Sequence, residues 1–118
     1  MTILISIGRK KEEIWTIQSW IYRWLVRLIE NKYPNEKDVI EDLKMGEIFN
    51  GTSLDLTAKD NLELAKKTST IVKETALEIA SGKHVLVDDD GNPDPDSQEQ
   101  VERLFAKLAK MLEVTDTW

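Results

Sequence analysis

From Ile14 to Ile29 the chain reads Ile-Trp-Thr-Ile-Gln-Ser-Trp-Ile-Tyr-Arg-Trp-Leu-Val-Arg-Leu-Ile. Eleven of these sixteen residues are large and apolar, and three of the four tryptophans are among them. Wound at about 3.6 residues per turn, Thr16, Ser19, Arg23, Arg27 and Glu30 gather in one narrow polar strip. The rest of the circumference is apolar apart from Gln18, an arc roughly twice the ~100° stripe of an ordinary surface helix. The pattern predicts a first helix over about Lys10–Lys32, packed on two sides and central to the domain. It stops at Tyr33, because a residue before proline is pushed out of the helical region and Pro34 follows.

The pattern elsewhere predicts three more helices. Asn35, with Asp38 three residues on, reads as the N-cap of a second helix starting near Glu36 and burying Val39, Ile40 and Leu43. Gly46 or the Asn50-Gly51 turn signal ends it. Thr57, with Asp60, opens a third helix whose apolar stripe is Ala58, Leu62, Ala65, Val72, Ala76 and Ile79, with Leu64 and Ile71 at its edge. Small residues there let a neighbour approach closely, and the tryptophans of the first helix are the expected filler. Gly82 supplies the left-handed stop. Ser97, with Gln100, caps a fourth helix with core positions Val101, Leu104, Phe105, Leu108 and Leu112. Only residues 2–7 and 83–87 read as strands, and a strand needs a partner, so these two are expected to pair. The tail from Val114 to Trp118 reads as loose unless Trp118 docks. The fold class is therefore all-α: one domain over 1–118, a compact bundle of about four helices around a tryptophan-rich helix, with room for a minor two-stranded β element.

Composition changes this picture little. Length suits one hydrophobic core, and 41% hydrophobic with 32% charged residues is ordinary for a globular protein. The absence of cysteine removes disulfides, thiolate catalysis and thiolate metal sites, and fits a reducing, cytoplasmic setting. The N-terminus lacks the basic start and apolar length of a signal peptide. The Ile14–Ile29 stretch is shorter than the ~20 residues a bilayer requires and holds Arg23 and Arg27, so no membrane attachment is expected.

Charge matters more. The net charge is −6, which argues against nucleic acid as a ligand and allows a basic protein partner. Residues 9–33 carry six bases and three acids, whereas 88–102 carry seven acids and no base. Single-sign charge over Asp88, Asp89, Asp90, Asp94, Asp96, Glu99 and Glu102 creates a negative field that speeds association with a basic partner. Mixed charge would serve solubility equally well, so the segment is the candidate partner-binding surface. Trp15, at the edge of the apolar arc, is added to it because tryptophan is enriched at interface hot spots.

Catalytic and metal chemistry find less support. With Gly91 at the invariant sixth position of an EF-hand loop, Leu86 and Ser97 fall where the strongest carboxylate ligands belong. The register starting at Asp90 puts Pro95 in place of the glycine and Val101 at the last ligand. Both registers fail, and no metal or other cofactor is expected. His84, the single histidine, has no nucleophile or companion ligands in a recognisable spacing and reads as structural. Glu74 and Glu78, one turn apart, have the spacing to share magnesium, but no Glu-x-x-His pair of the di-iron type is present. The chain is expected not to be an enzyme.

With its tryptophan-rich first helix around Trp15, Trp20 and Trp24, its acidic bend at Asp88–Asp96 and its lack of cysteine, the chain resembles the small acidic immunity proteins that bacteria encode beside secreted or contact-delivered toxins. That resemblance implies a cytoplasmic inhibitor that binds a cognate toxin, often a basic nuclease, and blocks its active site or substrate surface. A nuclease must present Lys and Arg to phosphates, so an acidic protein is a ready competitor. The alternative is a non-catalytic regulatory or assembly module acting as a homodimer through the broad face of the first helix.

Overall fold

The tryptophan-rich stretch is not one helix but a strand running straight into a helix. The structure, a computed structural model, describes residues 2–7, 13–48, 53–55 and 62–113. Its elements are β1 (Thr2–Ile7), β2 (Glu13–Gln18), α1 (Ser19–Lys32), α2 (Lys37–Ile48), β3 (Ser53–Asp55), α3 (Leu62–Ala80) and α4 (Pro95–Leu112). The expected helix-dominated bundle with a minor β element is therefore present. The β element has three strands among the described residues, in the order β2-β1-β3.

The expected first helix begins at Ser19, nine residues later than its pattern suggests, because Ile14–Gln18 also carries a period of two. Trp15 and Ile17 are buried, while Ile14, Thr16 and Gln18 face outward. β1 lies antiparallel to β2 with Ile3 opposite Ile17 and Ile5 opposite Trp15, so four apolar side chains share the inner face. β3 adds to the other side of β1 in parallel, with Leu54 in register with Ile5. The expected pairing of residues 2–7 with 83–87 is corrected. β1 has β2 and β3 as its neighbours, and Val87 instead bridges locally to Pro93. A strand only six residues away was the nearer partner, with far less chain to close between them.

α1 keeps the broad apolar arc foreseen for it, burying Ile21, Tyr22, Trp24, Leu25, Val26 and Ile29. Tyr22, fully buried, donates its hydroxyl to the Leu43 carbonyl on α2 at 2.5 Å. Burial, then the charges of Asp42 and Glu47, push its phenol well above the ordinary range, so it remains a neutral donor. The expected Asn35 cap is one residue early: Ile40 N–H bonds the Glu36 carbonyl, and Asp38 accepts from the next residue, Val39.

α3 and α4 pack together more closely than any other pair of helices. On α3 the stripe Ala65, Val72, Ala76 and Ile79 is buried as the pattern requires, and Thr68, Ser69 and Thr75 are buried with it. Among the helices α3 therefore has α4 as its closest neighbour, and it also meets α1. Thr75 returns its hydroxyl to the Ile71 carbonyl at 2.9 Å, which satisfies it inside the helix. α3 ends as foreseen at Gly82, whose φ is +81°. Gly82 N–H bonds Ile79 O, and Lys83 N–H bonds Glu78 O, the paired bonds of a Schellman stop.

α4 supplies the centre of the core. The Phe105 ring lies 5.3 Å from Trp15 and 6.2 Å from Trp24, tilted and edge-on, so one phenylalanine joins sheet, first helix and last helix. The cap of α4 is Asp94 rather than Ser97: Asp94 accepts the Ser97 N–H at 3.2 Å, with Pro95 opening the helix. The expected Thr57–Asp60 cap, the Ala58 position, the Asn50-Gly51 turn and the tail from Val114 to Trp118 lie outside the described residues, and Leu62 is the first residue of α3. Among the described residues no helix is long and apolar enough to cross a membrane.

Candidate functional site

The acidic stretch folds into a tight hairpin before α4. Its shape follows from Asp88, whose Oδ1 accepts the N–H groups of Asp90 and Asn92, each at 2.9 Å, in the manner of an Asx turn. Main-chain bonds close the hairpin: Asp88 N–H to Asn92 O, Gly91 N–H to Asp88 O and Asp94 N–H to Leu86 O. Gly91 has a φ of +83°, a left-handed turn position that favours glycine. The hairpin base is held by α4, since Gln98 accepts from Leu86 N–H at 2.7 Å and donates to His84 O at 3.0 Å.

The two charge runs of the sequence meet within the molecule. Arg23 on α1 donates to both Asp89 oxygens, at 3.1 and 2.5 Å, and to Glu47 of α2 at 3.1 Å. Arg27 approaches Asp89 at 3.7 Å. These bonds, Arg23's foremost, hold the Asp89 carboxyl below its usual range and raise Arg23 further above its own. The polar strip of the helical wheel was therefore a docking strip for the acidic loop, a pairing that the opposite charges of the two segments signalled.

Each candidate binding residue can now be placed. Asp88 shapes the turn, Asp89 clamps it to α1, and Asp94 caps α4. Glu99 pairs with Arg103 one turn on, and Glu102 accepts from Gln98 Nε2 at 3.0 Å. Asp90 and Asp96 are exposed and, among the described residues, have no cationic partner. Trp15 is a correction. It is 2% exposed, packs on Phe105 and donates its indole N–H to Leu104 O at 3.0 Å. A helical wheel put it at the rim of the arc, but on a strand it shares the inner face with Ile17, so it is core. The broad face of α1, offered for a homodimer, is likewise consumed by the chain's own core.

A second feature gave no signal in the sequence. A groove of about 270 Å³ runs between β2 and α4. Its walls are Thr16, Ile17 and Gln18 of β2, Trp20 and Ile21 at the start of α1, and Ser97, Gln100, Val101 and Leu104 of α4. Trp20, half-buried, donates its indole N–H to Gln18 Oε1 at 2.7 Å, which fixes the ring at one end of the groove. None of these residues is charged, and no acid, base and nucleophile converge there.

The carboxylates considered for magnesium have other partners. Glu74 accepts the Tyr33 hydroxyl at 2.9 Å, and Glu78 is shared between Lys32 and His84. Burial, helped by the charges of Lys32 and Lys83, keeps the His84 imidazole below its ordinary range, so its Nε2–H donates to Glu78 as a neutral group at 3.0 Å. Among the described residues no three His, Asp or Glu side chains gather as a metal site. No protein-family model, curated sequence or solved structure matches the chain.

Proposed function

We propose that the chain is a non-enzymatic inhibitor of the immunity type, acting in the cytoplasm by binding a basic toxin domain, a nuclease being the partner whose chemistry fits best. The observation that carries this reading is the braced hairpin. Its shape is fixed from within by Asp88, from α1 by Arg23 and from α4 by Gln98, with Asp94 joining it to the helix, yet Asp90 on the hairpin and Asp96 in the first turn of α4 are exposed. A loop ordered before binding loses little entropy on association, and unneutralised carboxylates on it and beside it attract a basic surface. A nuclease needs that same basic surface for its phosphates, so occupying it blocks the reaction without chemistry of the inhibitor's own.

The test is association with the product of the adjacent upstream gene, measured by stopped flow at low and moderate salt. Asp90→Asn with Asp96→Asn should slow association and flatten its salt dependence, because long-range attraction is what those charges supply. Asp88, Asp89 and Asp94 stay untouched, since they hold the loop itself. Equal on-rates and equal salt slopes for variant and wild type would return the hairpin to a solubilising role.

A further inference from the structure

The groove between β2 and α4 opens at the edge of the sheet. Thr16 and Gln18 point to the outer face of β2 and Ile17 to the inner face, yet all three line it. Among the described residues, none of β1 or β3 lines it. Only the free edge of a strand presents side chains of both faces together with its main chain. In the strand order β2 is terminal, and among the described residues its main chain bonds to β1 alone.

Exposed sheet edges are commonly blunted by lysine, proline or a bulge, since unpaired N–H and C=O groups recruit another strand. β2 reads Glu-Ile-Trp-Thr-Ile-Gln, with no lysine or proline and no break in its register with β1. Below the edge, Ile17, Val101 and Leu104 form an apolar floor, and Gln18, Ser97 and Gln100 supply polar groups at the rim. A strand laid on this edge would find main-chain partners along β2 and a recess for one of its side chains.

We infer that the β2 edge and its groove take an extended segment of the basic partner as a fourth strand, with a long basic side chain laid over the apolar floor. The inference rests on the proposed inhibitor reading. Charge complementarity selects this occupant. Asp96 sits beside Gln100 on the α4 surface and, among the described residues, pairs with no cation, whereas the nearby Arg103 is taken by Glu99 and Lys107 lies a turn beyond Leu104. A second copy of the chain would bring its own charge of −6 to the same edge. The aliphatic stem of lysine or arginine covers the floor and Trp20, while its head reaches Asp96 and the rim amides.

The probe is the hexapeptide Val-Arg-Val-Lys-Val-Arg, matched in length to β2, followed by amide NMR and hydrogen exchange on the intact chain. Saturable shifts at residues 14–20 and 97–104 are expected, with slowed exchange at β2 amides that purely electrostatic contact would not give. The peptide N-methylated at alternate residues, and Val-Glu-Val-Asp-Val-Glu, should each bind at least about tenfold more weakly. Gln100→Trp, an exposed position that fills the groove, should weaken the basic peptide by a similar factor. Equal binding of the N-methylated peptide, shifts confined to Asp88–Asp96, or no saturable shifts would overturn strand addition. A mass that doubles with concentration and reverts in Thr16→Lys would assign the edge to a second copy and overturn it equally. If any of these occurs while the upstream gene product is still held through Asp90 and Asp96, the inhibitor reading stands and only the inference fails.

Discussion

β2 with α1, and α4, are two segments that meet at Phe105. They differ in how firmly sequence sets their conformation. In α4 polar residues separate Val101, Phe105, Leu108 and Leu112, so only a helix puts all four inside, and all four are buried. In the Ile14–Ile29 stretch apolar residues are so frequent that both a helical arc and a strand alternation fit its first part. Polar positions, more than apolar ones, fix the period. Partner strands then decide: β1 gives Trp15 and Ile17 a sheet to belong to and leaves Ile14 56% exposed, although a wheel assigns it to the buried arc.

The largest expected effect separates neighbours within that stretch. Trp15→Ala should cost about 3–5 kcal/mol, the range for removing a buried aromatic. Ile14→Thr, one residue away, should stay within about 0.5 kcal/mol, because it is an exposed change to a residue that favours strands. Chemical unfolding of the two variants reads this directly. Comparable losses would mean that Ile14 is packed, and the helical reading of residues 14–18 would regain its footing.

A smaller contrast lies inside α4. Leu108→Ala should fall within about 2–5 kcal/mol, as for a fully buried leucine. Leu104, which lies half-buried along the groove, should cost no more than about 2 kcal/mol as Leu104→Ala, because solvent already reaches its side chain. Equal denaturant midpoints for the two variants would mean that the groove is closed over Leu104 in solution.

Helix number, the stop at Gly82 and most of the core were legible because each rests on a local pattern: periodicity, a left-handed glycine, a proline boundary. The sheet was not, since pairing is non-local. β3 is only three residues long, and nothing in Ser53–Asp55 announces a parallel partner forty-nine positions away. The candidate site was half legible. The acidic run and the basic strip of Arg23 and Arg27 were visible as opposite charges, but their meeting depends on where the hairpin lands on α1. Three aspartates that looked alike proved to have different internal duties: turn, clamp and cap. The groove left no trace, because its walls come from three elements whose residues are individually unremarkable in type.

The smallest expected effects concern pH, and they separate the two ties that hold the α3–α4 connection. His84 titrates lower in the folded protein than an ordinary imidazole, chiefly through burial. The unfolded chain therefore takes up this proton first, and the contribution is present above about pH 6.5 and declines as pH falls through the lower folded value. Asp89 titrates below the ordinary carboxylate range, chiefly through the bond from Arg23. Its contribution is present above that ordinary range and is lost only as pH falls beneath it. Melting temperature followed from neutral to acidic pH should thus decline in two windows. His84→Gln should flatten the upper one and leave the lower intact. Asp89→Asn should flatten the lower one, with a modest effect given the exposure of the Arg23–Asp89 pair. If His84→Gln leaves the upper window unchanged, the imidazole has the same affinity for protons in both states, and its contact with Glu78 offsets what burial takes away.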